Sequence, residues 1–444
     1  MTNTLPDPRA HAIIIGGSLA GLLTARVLSS HFERVTILER DPVNDVPESR
    51  KGQAQTRHLH GLLAQGLNIM KEYFPGLQQE LDAGGAISGD LGELIHWYHY
   101  GGYKKQFTSG LVGMAMTRPF LEHHIRRRVI ALPNVTLLDS CTAAEPVTSP
   151  DRKRIIGVRL AKRADRETET LMADLIVDAS GRGSPAPKWL ESLGYAHPQE
   201  VEVRAGVGYV TREYRRQPDY PPEVHSEIVS PVAPHEKHGA FMFPVEGDRW
   251  VMTAGGFVGH HPPEDEAGLL AYLRALPAPD IYNIVTRTEP LTDIITYKYP
   301  ASLRRRYEKL TRFPDGFLVI GDACASFNPV YGQGMTSAAM QAEALDELLR
   351  RHPLPGIWRR YFQRVAKVVD MPWQLAVGED FRYPETEGVK PPLTDLINRY
   401  VEKVHQATRH DPVVYAQFLR VMNLMEPATS LMTPRLMWRV LRGK

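Results

Sequence analysis

Cysteine is nearly absent. The 444 residues hold two, Cys141 and Cys324, far apart and without C-x-x-C spacing. That excludes a disulfide framework and a cysteine-based zinc site, and it fits a reducing cytoplasm. No run approaches the roughly 18 consecutive apolar residues that a membrane-spanning helix needs. The opening "MTNTLPDPRAHAIII" lacks a charged region followed by a long apolar core, so no secretory signal is read there. An excess of charge of one sign is also missing. With 53 basic and 51 acidic residues, the formal net charge of +2 leaves no electrostatic footprint for nucleic acid. Residues 351 to 444 show no internal repeat and no low-complexity tract.

What remains is a chain 43% hydrophobic and 23% charged, long enough for one large core or two to three modest ones. Its most informative stretch is "IIIGGSLAGLLTAR", residues 13 to 26. Ile13 to Ile15 read as a buried parallel strand, Gly16 and Gly21 permit a tight turn and close packing, and Leu19 onward reads as a helix. A helix start of this kind offers unpaired amides and a positive dipole end to a pyrophosphate. Ser18 stands where a middle glycine is usual, and its small hydroxyl is compatible with phosphate. A Gly-rich turn without a ligand fits the stretch alone equally simply. The following strand, "RVTILE", ends on Glu39, 23 residues after Gly16. At that spacing an acid accepts hydrogen bonds from an adenosine ribose and repels a ribose phosphate, which suits FAD or NAD and disfavours NADP here.

Further along, Leu59, Leu62, Leu63, Leu67, Met70 and Phe74 recur at helical spacing up to Pro75-Gly76. "TRPFLEHHIRRRV" reads as a helix opened by Thr117, with Pro119 in its first turn. Residues 153 to 180 read as a hairpin with a charged turn, then a strand. Alternating segments such as "HGAFMFPVEGDRWVMTAGGFVG" predict an antiparallel sheet through the middle of the chain. "FLVIGDACASFNPVYGQGMTSAAMQAEALDELL" returns to strand, loop and long helix, and residues 351 to 444 read as mostly helical.

Three motifs in this order, "IIIGGSLAGLL…LER", "VDASGRGS" and "GDACASFNPVYGQGM", resemble FAD-dependent monooxygenases of the aromatic-hydroxylase superfamily over about 320 residues. "QTRHLHGLL" and "FNPVYGQGMTSAA" are most similar to flavin epoxidases acting on alkenes in polyketide pathways, and more distantly to squalene epoxidases and geranylgeranyl reductases. The resemblance implies an α/β fold: a glutathione-reductase-type FAD-binding Rossmann domain (1–89, 117–195 and 305–350), an inserted antiparallel β-sheet substrate domain (90–116 and 196–304) and a helical C-terminal region (351–444). It implies that Gly16, Ser18 and Gly21 cradle the FAD pyrophosphate, and that Glu39, with Arg40 beside it, holds the adenosine ribose. Arg118 would lie near the pyrophosphate or ribityl chain, and Asp322 would bond the ribityl hydroxyls. Pro329, Gly332, Gln333, Gly334 and Met335 would form the loop along the isoalloxazine edge. Arg57 and His58 would be flavin-side or structural residues.

The departures from the family pattern matter. Ala325 stands where aromatic hydroxylases commonly have histidine, Thr336 where asparagine is common, and Ser180 where Ala-Asp-Gly supplies an aspartate tied to NAD(P)H use. Electrons would come from NADPH or NADH, directly or through a separate flavin reductase. The implied reaction inserts one oxygen atom from O2, through a flavin C4a-hydroperoxide, into an apolar small molecule. Epoxidation of an alkene in a secondary-metabolite pathway is the leading expectation. Aromatic hydroxylation and alkene reduction of the geranylgeranyl-reductase type are the alternatives, and a non-catalytic flavoprotein is the rival from another class. The W-x-W-x-I-P motif of flavin halogenases is missing. Phe241, Phe243 and Trp250 are candidates for the substrate pocket, with Trp97, Tyr98 and Tyr100 as further ones, against the ordinary reading of strand aromatics as core. His58 and His60 form H-x-H without further ligands, so no metal site is expected. The basic, apolar-faced stretch "TPRLMWRVLRGK" reads as a docked helix or an interfacial one.

Overall fold

The computed structural model describes residues 9–162, 168–217 and 226–442; the turn of the expected hairpin and both chain ends, 1–8 and 443–444, lie outside them. The triple-isoleucine strand His11–Ile15 is buried at every position. It lies at the centre of a five-stranded parallel sheet, between Arg34–Leu38 and Leu175–Asp178. Near-continuous apolar strands are what a parallel sheet covered on both faces requires. Val135–Leu138 forms one edge. The other edge, Phe317–Val319, pairs in parallel with Leu175–Asp178 across some 140 residues of intervening chain. The helix Leu19–Leu28 packs against both Arg118–Ile130 and Gly334–Arg351. Thr117 caps the former by accepting from the Phe120 amide, with Pro119 in the first turn.

A seven-stranded sheet faces this layer. Its order is Ile295–Lys298, Gly208–Arg215, Arg249–Gly256, His238–Val245, Ser226–Val229, Ile95–His99, Gly102–Tyr103. It is mixed rather than antiparallel throughout: Ser226–Val229 pairs in parallel with Ile95–His99, because the latter strand arrives from the distant stretch after residue 90. The short helices Glu266–Arg274 and Asp280–Val285 cover one face, burying Trp250, Met252 and Met242 against Leu269, Leu273 and Ile281. Four helices follow the long helix Gly334–Arg351: Ile357–Asp380, Thr394–Ala407, Pro412–Met422 and Pro434–Arg442. The last docks through Leu436 and Val440 into a cluster with Val404, Tyr415 and Phe418, and leaves Trp438 and Leu441 exposed.

One expected helix is shorter than its pattern. Leu59 to Leu63 are not helical, and the helix runs only from Ala64 to Tyr73. Leu62 instead forms an isolated bridge to Met114, so packing beside the cavity described below overrides the helical spacing.

Candidate active site

A cavity of about 1370 Å³ runs between the parallel sheet, the mixed sheet and the C-terminal helices. At its first end the chain turns sharply. Gly16 has φ +107°, and a Cβ there would stand 2.6 Å from the Ala179 carbonyl oxygen. A Cβ at Gly21 would overlap the Gly16 carbonyl, so both positions require glycine. Ser18 precedes the helix, and its hydroxyl donates to Glu122 at 2.9 Å while accepting from Arg118 at 3.1 Å. Glu39 ends its strand in the cavity wall. Its carboxylate accepts from the amides of Gly17 and Asp41, each at 2.9 Å. Arg50, absent from the sequence reading, is paired with Glu39 at 2.9 Å and with Glu122 at 2.5 Å. Arg40 also lines this end and donates to the Gly52 carbonyl.

Midway lie Arg118, Asp322 and the loop from Pro329 into the helix at Gly334. Asp322 opens onto the cavity, and among the described residues no hydrogen bond reaches its carboxylate. Burial pushes its acid form up, against the pull of Arg118 and Arg182. Pro329, Gly332, Gln333, Gly334 and Met335 all line the wall. Leu59 and His60 line the wall, whereas His58 is buried outside the lining residues, its Nδ1 meeting the Thr211 hydroxyl at 2.9 Å. Burial, then Arg57, lowers His58 to about 4, so the ring is neutral at pH 7.

The far end is an aromatic chamber. Phe241, Phe243 and Trp97 line it together with Tyr209 and Tyr297. Trp250 does not. In the antiparallel register Phe241 faces Thr253 and Phe243 faces Val251, whereas Trp250 sits opposite Pro244. The pleat therefore turns Trp250 to the helix-covered side, where it is 0% exposed. Arg57 is likewise outside the lining residues, being exposed on the short 3-10 turn Lys51–Arg57.

A family model described as an FAD binding domain matches residues 9–352. The chain belongs to the FAD-binding family of aromatic-hydroxylase-type monooxygenases. Protein Rv3254 of Mycobacterium tuberculosis is 34% identical to this flavoprotein over 96% of its chain and 92% of the relative. A kynurenine 3-monooxygenase of Salinispora tropica is 27% identical over 78% of this chain and 74% of its own. Among solved structures, the flavin-dependent brominase Bmp2 has a TM-score of 0.66 at 15% identity, covering 98% of both chains, and so shares the fold.

The residues present fit FAD. Beyond the glycine cradle and the unpartnered Asp322, both amide atoms of the buried Gln333 lack a hydrogen-bond partner among the described residues. A polar side chain so placed on the cavity wall calls for a bound polar group. Bound there, the dinucleotide would draw on Glu39 at the ribose, Ser18 and Arg118 at the pyrophosphate, and Asp322 at the ribityl chain. Other residues of the flavoprotein escaped the sequence reading because they come from separate stretches of chain. His99, His405 and Phe418 line the chamber beside the anticipated Tyr100, and Lys104 stands behind His405; Tyr98 is outside the lining. Among the described residues, no helix is long and apolar enough to cross a membrane.

Proposed function

We propose that this monooxygenase transfers one oxygen atom of O2 to an apolar small molecule, with epoxidation of a carbon–carbon double bond as the reaction. The observation that carries this reading is the continuity of the cavity. One space joins the dinucleotide cradle, the Gly-rich loop and the aromatic chamber, and its volume exceeds the 300–1,000 Å³ of ordinary small-ligand pockets. FAD, reduced by NADPH or NADH directly or through a separate flavin reductase, supplies the oxygen-activating chemistry. The protein supplies placement and dryness. Phe241, Phe243 and Phe257 keep the chamber apolar, which favours transfer over loss of activated oxygen to water. The helix start at Gly334 turns unpaired amides and a positive dipole end toward the cavity, where negative charge on a reduced cofactor is stabilised.

Aromatic hydroxylation is the second reading. It is favoured by the His99 and His405 rings, 4.6 Å apart in the chamber wall, which provide proton-handling groups that an epoxidase does not need. Single-turnover oxidation under ¹⁸O2, after anaerobic reduction of the holoenzyme, tests both. Labelled epoxide from an alkene panel supports the first reading and labelled phenol from an arene panel the second. Saturated product formed without oxygen consumption would replace both with alkene reduction.

A further inference from the structure

The chamber ends on a group of polar side chains that the cofactor site does not use. Lys104 is 4% exposed, and its Nζ lies 4.6 Å from the Trp97 ring centroid, 4.9 Å from Phe418 and 5.7 Å from Tyr415. Burial pushes the amine down to about 7, while the three aromatic faces act in the opposite direction and favour the ammonium. Thr408 spends its hydroxyl proton on the His405 carbonyl at 2.6 Å, so its oxygen accepts from Lys104 at 2.7 Å. The second contact of Nζ is His405 Nδ1 at 3.2 Å. Below about pH 7 the amine is predominantly an ammonium, which has no lone pair and can only donate. His405 Nδ1 is therefore the acceptor, and the ring, kept neutral by burial and by Lys104, carries its proton on Nε2. His405 lines the chamber, and among the described residues no hydrogen bond to Nε2 is found.

We propose that His405 is a substrate-binding residue that donates Nε2–H to an oxygen acceptor, a carbonyl or phenolic oxygen, on an otherwise apolar substrate, with Lys104 as the positioning residue that fixes its tautomer. The surroundings fit this chemistry. Trp97, Phe418 and Tyr100 pack around the imidazole, with centroids at 6.4, 4.8 and 5.4 Å, so an N–H left unpaired among them is costly and an acceptor delivered there is strongly preferred. His99 forms the neighbouring wall, its own Nε2 engaged with the Pro231 carbonyl at 3.2 Å. The inference rests on reading this end of the cavity as the substrate chamber.

The test uses two probes of nearly equal shape, 2-acetylnaphthalene and 2-ethylnaphthalene, titrated calorimetrically into the FAD-loaded enzyme. At pH 6, where the Lys104 ammonium dominates, the ketone is expected to bind about five- to a hundredfold tighter than the hydrocarbon, the range for leaving a buried N–H unpaired. His405→Phe should erase the preference while the hydrocarbon still binds. Lys104→Met, which keeps volume and removes the tautomer lock, should reduce the preference, and the imidazole ¹⁵N shifts of His405 should move with it. Equal affinities in the wild type overturn the inference but leave the monooxygenase reading standing. Failure of both probes to bind overturns the inference and the chamber assignment with it. A Lys104→Met enzyme with unchanged preference and unchanged ¹⁵N shifts removes Lys104 from the proposal.

Discussion

Gly21 and Glu39 mark the two kinds of constraint at single positions of the cradle. Gly21 is fixed by contact, because an added methyl would overlap the Gly16 carbonyl in the turn itself. Gly21→Ala should cost about 3 kcal/mol or more and release the flavin, readable as a lower Tm and a colourless purified protein. Glu39 is fixed by charge and position. Its replacement by alanine leaves Arg50 paired with Glu122, so the fold survives while the acceptor for a ribose is lost. Affinity for FAD should fall about tenfold or more while affinity for FMN, which has no adenosine ribose, stays put; equal losses would remove Glu39 from that role. Asp322→Ala should likewise weaken retention of FAD and FMN together, since both carry a ribityl chain. A variant that purifies fully loaded would contradict the assignment. Glu39 and the glycines are legible in the sequence because their geometry is local: a strand, a turn and a helix contiguous in the chain. Arg50 is not, since it becomes a partner of Glu39 and Glu122 only when the chain folds back on itself.

At the level of elements, the loop along the cavity is anchored from behind by a helix end. Asp380 closes the long helix Ile357–Asp380, and its Oδ1 accepts from Asn328 Nδ2 at 2.8 Å and from the Tyr331 hydroxyl at 3.0 Å. Both donors use one oxygen, which leaves the other to carry a proton, and burial pushes this acid up to about 7. The sign follows from linkage. Between the ordinary carboxylate value and about 7 the folded protein holds a proton that the unfolded chain has lost, so this residue's contribution to stability declines as pH rises through that window. Asp380→Asn, which keeps the Oδ1 acceptor and cannot ionise, should gain Tm relative to wild type at pH 8 and lose that advantage at pH 5. A pH-independent difference would show that Asp380 is not protonated in the folded state. Periodicity announced the helices here but misjudged elements whose fate is set across the cavity. Leu59 to Leu63 keep helical spacing yet run extended, and strand alternation alone could not say which of Phe243 and Trp250 faces the chamber without the register that pairs Trp250 with Pro244.

Across the whole molecule, the two largest sheets and the C-terminal helices lean on one cavity, so a bound cofactor would act as shared core. Removing FAD should lower Tm by about 3 °C in a comparison of apoprotein with protein held at a hundredfold excess over Kd. An unchanged Tm would mean that the three parts hold together without it. Ordered motifs announced the α/β architecture and the first half of the cavity, and strand alternation suggested Phe241 and Phe243; the polar end of the chamber was hidden, because His99 and His405 are some 300 residues apart and neither belongs to a motif.

His405 and Phe418 also lie beyond residue 352, where the match to the FAD-binding family stops. Part of the chamber wall is thus carried on a tract of the chain separate from the cradle, while Trp97, His99, Phe241 and Phe243 share the cradle's tract. Exchange of residues 390–432 between relatives can retune selectivity while the oxygen-activating apparatus is inherited intact, which makes this segment the natural unit for both divergence and deliberate grafting.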